Sequence, residues 1–266
     1  MAIATALTIA GSDSGGGAGI QADLKTFAFH CVHGMSALTC VTAQNTLGVD
    51  RVDALSPETV TAQIKAVTRD IGVGAAKTGM LLNAGIMEAV AIAIRTEQVT
   101  QLVVDPVMVS RTGAQLIDDR AIATLREQLL PLALVTTPNR YEAQILSGLE
   151  ITNLADMAVA ARRIFALGPK SVLVKGGGMS GELRGVDVWF DGRETVQLKP
   201  SATVETRHTH GTGCTLAAAI AANLALGKDV STAISKAKDY VTAALGHSLA
   251  IGGGSGPVGH FYPLLS

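Results

Sequence analysis

Short apolar runs rich in β-branched residues recur along the chain, and longer segments of helical periodicity separate them. Runs of four to eight residues that are apolar throughout are typical of strands buried on both faces of a sheet. Predicted strands of this kind cover residues 5–10, 38–43, 102–105, 132–136 and 171–175. Predicted helices cover residues 22–29, 57–69, 83–95, 119–130, 140–147, 156–167, 215–226 and 230–248. Strand and helix therefore alternate along most of the chain.

This alternation predicts an α/β fold of three layers, in which helices flank a mostly parallel central sheet. Residues 186–190 and 195–198 flank Asp191-Gly192 and predict a hairpin, so we expect antiparallel strands at one edge of the sheet. No linker or repeat divides the sequence, and residues 1–266 are expected to form a single domain. Ligands bind beyond the carboxyl ends of parallel strands, so function is expected in the loops that leave them.

Composition and charge exclude several classes of function. The chain has 48% hydrophobic residues, a net charge of -1 and 3% aromatic residues, so it can form a core but lacks the cationic surface and stacking platforms that nucleic acids require. Polar residues interrupt each apolar stretch before about 18 residues accumulate, so no membrane partner is expected. Cys31, Cys40 and Cys214 lack the spacing of a zinc site or a disulfide framework, which favours the cytoplasm.

Two glycine-rich segments allow a ligand to approach the backbone. The first covers residues 11–19, with five glycines, and is either a ligand loop after the first strand or a flexible turn. The second, Gly211-Thr212-Gly213-Cys214, precedes a predicted helix, whose free N–H groups and positive dipole end stabilise an anion and lower the pKa of a thiol. A partly ionised Cys214 is therefore expected, although a lone cysteine is more often a small buried hydrophobe.

Polar side chains follow three of the predicted strands. Asp105 and Lys175 each end a strand, while Asn139 and Glu142 stand three residues apart where a helix begins after another. Carboxylate and amide oxygens suit hydrated Mg²⁺, and a lysine before three glycines suits phosphate. Structural interpretations remain open, because Asp105 could cap or pair nearby and because Asn139 and Glu142 have the spacing of a helix capping box.

Neither GxxxxGK[ST] nor GxSxG occurs, which argues against P-loop kinases and α/β-hydrolases. Taken together, the motifs resemble the ribokinase-like superfamily and, within it, the hydroxymethylpyrimidine/phosphomethylpyrimidine kinases of thiamine biosynthesis. The matching segments run in order from end to end and cover residues 10–13, 16–25, 43–46, 77–80, 105–108, 137–139, 174–177 and 210–215.

The resemblance implies ATP-dependent phosphorylation of an aminopyrimidine alcohol and then of its phosphate, with Mg²⁺ as the metal and a homodimer as the assembly. The implied transfer site, with Cys214 in the position of the base, consists of Gly211, Thr212, Gly213 and Cys214. The implied aminopyrimidine site consists of Gly11, Asp23, Gln44, Met80 and Val107. Contacts with ATP are implied for Lys175, Asn139 and Asp105, and metal binding for Asp105 and Glu142.

The chain departs from the family pattern at several positions, including Ser14, Gly178 and His208. Ser14 and Gly15 replace the usual Pro-Ser, which is expected to loosen the first glycine loop. The nearest alternative is a pyridoxal kinase, because such enzymes share the fold and bind a similar ring with a hydroxymethyl group. More distant alternatives are a thiol hydrolase or acyltransferase that uses Cys214 with His210, and a ligand sensor without catalysis.

Overall fold

The strands of the protein form one sheet in the computed structural model, which describes residues 3–108 and 117–265. In chain order they are β1 (Thr5–Asp13), β2 (His33–Gln44), β3 (Val49–Ala54), β4 (Ala75–Thr78), β5 (Leu102–Val104), β6 (Val135–Thr136), β7 (Val172–Val174), β8 (Asp187–Phe190) and β9 (Thr195–Leu198). Among the described residues the sheet has nine strands in the order β3-β2-β1-β4-β5-β6-β7-β8-β9. Strands β2, β1, β4, β5, β6 and β7 are parallel, while β3, β8 and β9 each pair antiparallel with the preceding strand.

The predicted α/β fold is confirmed, and antiparallel strands lie at both edges of the sheet rather than at one. The sequence patterns missed β3 because all of its residues are exposed, so it carries no buried apolar run. They also missed β4, a four-residue strand that is buried throughout and yet contains a lysine, Lys77. Strands β1 and β2 are longer than predicted, and β6 is shorter.

Eight α-helices occur among residues 3–108 and 117–265. They are α1 (Gly19–Phe29), α2 (Pro57–Asp70), α3 (Ala84–Thr96), α4 (Asp119–Thr124), α5 (Arg140–Ser147), α6 (Leu154–Phe165), α7 (Thr212–Ala225) and α8 (Val230–Gly246). The predicted helix 119–130 is wrong in its second half, where π-helical and 3₁₀ turns lead into Pro131, because proline lacks the N–H and its ring clashes with the preceding turn. Of the helices in the described ranges, none is long and apolar enough to cross a membrane.

The two faces of the sheet pack against different sets of helices. Alternate residues of a strand point to opposite faces, and Leu7 and Ala76 lie in one core cluster with α2, α3, α5 and α6. Ala6 and Ala75 lie in the other cluster, with α1, α7 and α8. The same alternation directs Lys77, two residues after Ala75, toward α1 and α7.

Candidate active site

The turn before α7 brings the second glycine segment against the first. Gly211 is the N-cap of α7 and has a φ of 81°, and a Cβ added there would lie 1.8 Å from the carbonyl oxygen of Gly17. Helix α7 begins at Thr212, three residues before the predicted start, so Thr212, Gly213 and Cys214 form its first turn. These three residues are partly exposed, and N–H groups in a first helical turn have no partner within the helix. The Thr212 N–H donates to the Thr209 carbonyl oxygen at 3.3 Å, so the donors that this turn offers an anion are the N–H groups of Gly213 and Cys214.

The carboxylate of Asp13 holds the two glycine segments together. It accepts hydrogen bonds from the backbone N–H groups of Gly15, Gly17 and Ala18 at 2.8–3.0 Å, and from Nε2 of His210 at 2.9 Å. Burial alone raises the pKa of Asp13, but the hydrogen bonds from His210 and the backbone outweigh it and lower the pKa. No hydrogen bond joins the His210 ring to Cys214 among the described residues; the ring bonds to Asp13 instead.

Two strand exits meet the start of α7. The Nζ of Lys175 lies 2.7 Å from Oδ1 of Asp105, which also accepts a hydrogen bond of 3.1 Å from Thr137 Oγ1. A Cβ added at Gly213 would lie 3.4 Å from Lys175 Nζ and 3.9 Å from Asp105 Oδ2. Burial lowers the pKa of Lys175, but the negative charges of Asp105 and Glu142 outweigh burial. The net effect is a raised pKa, so the ammonium group stays charged. A cation and free backbone donors thus face the same space.

Asn139 and Glu142 form the capping box that their spacing also allowed. Asn139 Oδ1 accepts from the Glu142 N–H at 3.0 Å, and Glu142 Oε2 accepts from the Asn139 N–H at 2.8 Å. The backbone N–H of Lys175 donates to the carbonyl oxygen of Pro138 at 2.8 Å, which joins this helix start to β7. Burial, assisted by Asp105 and opposed by Lys175, raises the pKa of Glu142 to about 8. Structural and functional interpretations are therefore compatible here.

Cys214 does not have the lowered pKa that its position at a helix start predicted. Burial raises the pKa of the thiol, and the charges of Asp23 and Asp105 add to this effect. Lys77 and the backbone N–H of Gly19 oppose it without reversing it. The expectation of a partly ionised Cys214 is wrong for the free protein, because desolvation of the thiol outweighs the helix start although the residue is partly exposed.

Asp23 lies beneath the site, and both oxygens of its carboxylate accept hydrogen bonds from other residues. Its oxygens accept hydrogen bonds from Lys77 Nζ at 3.1 and 2.9 Å and from Thr8 Oγ1 at 2.6 Å, and the side chains of Asp23 and Lys77 are both 0% exposed. Burial by itself lowers the pKa of Lys77, but the Asp23 carboxylate raises it above its usual range. The expected contact between Asp23 and an aminopyrimidine stays a prediction, and no surface of Asp23 is open to such a ring.

The other residues implied for the aminopyrimidine lie near the ends of β1, β2, β4 and β5. A Cβ at Gly11 would lie 3.0 Å from Met80 Cε and 2.7 Å from Cys40 Sγ, so Gly11 and Met80 are in contact. Met80, Val107 and Gln44 are each partly exposed. Their direct contact with a substrate stays a prediction.

Ser14 stands where the family usually has proline, and this change was expected to loosen the first glycine loop. The Ser14 side chain instead holds the loop by two hydrogen bonds. Its Oγ donates to the carbonyl oxygen of Gln44 at 2.6 Å and accepts from the Gln44 N–H at 2.8 Å. The carbonyl oxygen of Asp13 also accepts from the Gly16 N–H at 2.9 Å. The hydroxyl therefore supplies by hydrogen bonding part of the order that a proline ring would supply.

Comparison with known proteins identifies the family. The phosphomethylpyrimidine kinase family matches residues 13–259. The chain belongs to this family. A hydroxymethylpyrimidine/phosphomethylpyrimidine kinase of Synechococcus elongatus is 64% identical over 264 residues, which is 99% of this chain and 100% of the relative.

Solved structures agree with the fold of this kinase and include two named activities. The ADP complex of Bacillus subtilis pyridoxal kinase superposes with a TM-score of 0.93 at 43% identity and covers 100% of both chains. A phosphomethylpyrimidine kinase from Clostridium difficile superposes with a TM-score of 0.82 at 41% identity and covers 92% of this chain and 100% of its own. At this level of identity the fold is shared by kinases named for different ring substrates.

The residues present in the kinase fit a magnesium ion that is shared with phosphate and water. In the described part of the chain no group of three or more His, Cys, Asp and Glu side chains could hold a metal ion. Asp105 and Glu142 are buried, and Asp105 raises the pKa of Glu142, so a cation would relieve their repulsion. Because Mg²⁺ usually takes one or two carboxylates together with waters and substrate phosphates, Asp105 and Glu142 are of the kind and number that such an ion would need.

Sequence reasoning assigned no role to two residues that organise the site. Lys77 lies inside one of the matching motifs, but a single lysine in a short strand gives no periodic signal. Asp187 also belongs to no motif or periodic pattern that marks it in the sequence. In the structure its Oδ1 accepts from the Gly176 N–H at 2.8 Å, and its Oδ2 pairs with Lys238 Nζ at 2.5 Å. Asp187 therefore fixes the backbone directly after Lys175.

Proposed function

We propose that this kinase transfers the terminal phosphoryl group of ATP to the hydroxyl of 4-amino-5-hydroxymethyl-2-methylpyrimidine, and then to the monophosphate so formed, giving the pyrophosphate used in thiamine biosynthesis. The observation that carries the proposal is the convergence of Lys175, Asp105 and the Gly213 backbone at the start of α7. The full-length relative at 64% identity, named for both phosphorylations, supports the choice of substrate.

Phosphoryl transfer needs positioning and charge neutralisation more than covalent chemistry. Lys175 and the free N–H groups of the first turn of α7 would hold the transferring phosphoryl group, since preorganised donors stabilise charge without rearrangement. Asn139, at the start of α5, would contact the ATP phosphates. When bound, Mg²⁺ would be held by Asp105 and Glu142 and would neutralise phosphate charge.

The thiol of Cys214 would meet the substrate hydroxyl, because Cys214 belongs to the same turn as the anion donors. Because burial raises its pKa, the thiol keeps its proton in the free enzyme and serves first to position the hydroxyl. General-base assistance typically accelerates a reaction about 10²- to 10⁴-fold. Phosphoryl transfer through a loose transition state depends little on such a base. Cys214→Ala should therefore keep residual activity, whereas loss of Lys175 should be more severe.

Gly11, Met80, Val107 and Gln44 would form the aminopyrimidine site. Gly11 and Met80 are already in contact, so the thioether lies directly against the Gly11 backbone. Gln44 offers an amide that can both donate to and accept from an aminopyrimidine edge. We place Asp23 outside this contact set, because its carboxylate has no exposed surface.

Pyridoxal is the second candidate substrate, because a solved pyridoxal kinase superposes on the whole chain with a TM-score of 0.93. The two candidates are separated by measuring kcat/KM for hydroxymethylpyrimidine and for pyridoxal with the same Mg-ATP concentration and enzyme preparation. We expect the pyrimidine to be preferred. Efficient phosphorylation of pyridoxal with the pyrimidine left unchanged would contradict the proposal.

A homodimer in the cytoplasm completes the proposal. The homodimer is implied by the family resemblance, and the cytoplasmic location by the cysteine pattern. Light scattering on the eluted kinase measures the assembly mass, and a monomer at micromolar concentration would contradict the dimer. Cell fractionation with an antibody to the kinase tests the location.

A further inference from the structure

Lys77 is a fully buried lysine in the middle of the sheet. It lies on β4, in register with Thr8 on β1 and Val103 on β5. Lysine is almost never fully buried unless it is paired, because its ammonium group is strongly hydrated in water. Its position therefore needs an explanation beyond strand formation.

Stability does not explain the pair that Lys77 makes. Asp23 accepts from Lys77 Nζ with both carboxylate oxygens, and Thr8 Oγ1 gives the carboxylate another bond. Removing two charges from water costs as much as or more than their attraction returns, so apolar residues of similar volume often stabilise a fold equally well. The pair is thus a candidate for function.

The charge of Lys77 lies among the groups of the transfer site. The neighbours that act on it electrostatically are Asp23 on α1, Cys214 on α7 and Asp105 at the end of β5. The charged groups that act on Cys214 are Lys77, Asp23 and Asp105, while Lys175 interacts with Cys214 from the end of β7. A Cβ at Gly79 would lie 2.8 Å from Lys77 Nζ, so the glycine makes room for the ammonium group.

We propose that Lys77 is a positioning residue that supplies a fixed positive charge beneath the first turn of α7, where it stabilises negative charge on Cys214 and on the transferring phosphoryl group. Asp23 acts through Lys77, by holding its ammonium group in place, and does not touch the substrate. This inference rests on the proposed kinase function for its consequence in catalysis. The effect on Cys214 is a property of the free protein and can be tested without substrate.

The test is the rate at which iodoacetamide alkylates Cys214, measured between about pH 6 and pH 10 in the absence of ligands, since only the thiolate reacts. Mass spectrometry of the peptide that carries Cys214 separates it from Cys31 and Cys40. Lys77→Met removes a nearby positive charge, so below the thiol pKa alkylation should be about tenfold slower, which is a rise of one pKa unit. Asp23→Asn removes a nearby negative charge and should make alkylation faster.

The opposite signs of the two effects distinguish charge from structure. In the double variant Lys77→Met/Asp23→Asn the effects should largely cancel, and alkylation should return toward the rate of the parent. Lys228→Met, an exposed lysine beyond the far end of α7, is the matched control and should leave the rate unchanged. Circular dichroism and urea unfolding confirm that each variant is folded.

The proposal is overturned if the alkylation rate changes in the same direction in both single variants, or if it changes in neither of them. If Lys77→Met does not fold, Asp23→Asn decides alone, and an unchanged rate overturns it. In kinase assays both single variants should lower kcat with the KM for the pyrimidine within about threefold of the parent. A selective rise in that KM in Asp23→Asn, with unchanged alkylation, would show that Asp23 binds the substrate. Absence of kinase activity in the parent would refute the proposed function and leave the alkylation result intact.

Discussion

Replacing Gly211 with alanine should force the anion-binding turn away from the first glycine loop. The added Cβ would lie 1.8 Å from the carbonyl oxygen and 2.9 Å from the carbonyl carbon of Gly17. Because favourable non-bonded contacts lie at about 3.5–4.0 Å, the two segments must separate by roughly 2 Å. The obstructing atoms belong to the backbone, so no side-chain rotation can relieve the clash.

The loss of activity follows from that displacement. A misplacement of about 1 Å at a reacting centre costs about 100-fold, so kcat/KM for hydroxymethylpyrimidine should fall at least 100-fold in Gly211→Ala. Two effects lower the free energy of unfolding. The left-handed backbone costs an alanine about 1–2 kcal/mol, and overpacking adds about 1–3 kcal/mol.

Gly227→Ala is the matched control at the other end of α7. Gly227 has a φ of 77°, close to the 81° of Gly211, but an added Cβ meets nothing within 4 Å. It shares the conformational cost of about 1–2 kcal/mol without the clash, so its kcat/KM should stay near that of the parent. The rate of ADP formation gives kcat/KM, and urea unfolding gives the free energy of unfolding. Equal stability losses, with the kcat/KM of Gly211→Ala within about threefold of the control, would refute the reasoning.

Three further predictions concern the residues around this turn. Because burial raises the pKa of Glu142 from 4.5 to about 8, folding takes up a proton over that range and the stability of the free kinase should fall as the pH rises from 4.5 to about 8. Urea unfolding should show that Glu142→Gln flattens this dependence, and an unchanged slope would argue against it. Asp187→Leu leaves the Gly176 N–H without its acceptor at 2.8 Å and should raise the KM for ATP about tenfold, while Asp187→Asn keeps an acceptor and should recover most of the loss. Equal losses in the two variants would contradict that role. Ser14→Ala removes two bonds to Gln44 and should raise the KM for the pyrimidine about threefold to tenfold without changing the KM for ATP, which steady-state kinetics would reveal. An unchanged KM for the pyrimidine would refute the role of Ser14.

The layered fold was predictable because buried parallel strands and amphipathic helices leave different periodicities. Strands β3 and β4 were not predicted from the sequence, for opposite reasons. The first has no buried residue to mark it, and the second is buried throughout but contains Lys77. A pattern that equates burial with apolar side chains cannot find a strand whose central position is an ion pair.

The chemistry of the site was predictable in kind but not in detail. Asp105 and Lys175 follow buried strands, so their meeting at one edge of the sheet is implied by parallel topology. The raised pKa of Cys214 was not predictable, because the sequence marks the helix start but not the desolvation around it. The burial of Asp23 was hidden for the same reason, since its partner Lys77 is 54 residues away in the sequence.

The central claim is that one site, built on the turn before α7, phosphorylates a hydroxymethylpyrimidine twice. The most direct test follows products by mass spectrometry after the kinase is mixed with the pyrimidine alcohol and Mg-ATP, with Gly211→Ala and Gly227→Ala run in parallel. The account predicts that the monophosphate forms first and the pyrophosphate second, and that Gly211→Ala suppresses both while Gly227→Ala suppresses neither. ATP consumption with no phosphorylated pyrimidine, or a Gly211→Ala variant that makes both products at the parent rate, would contradict it.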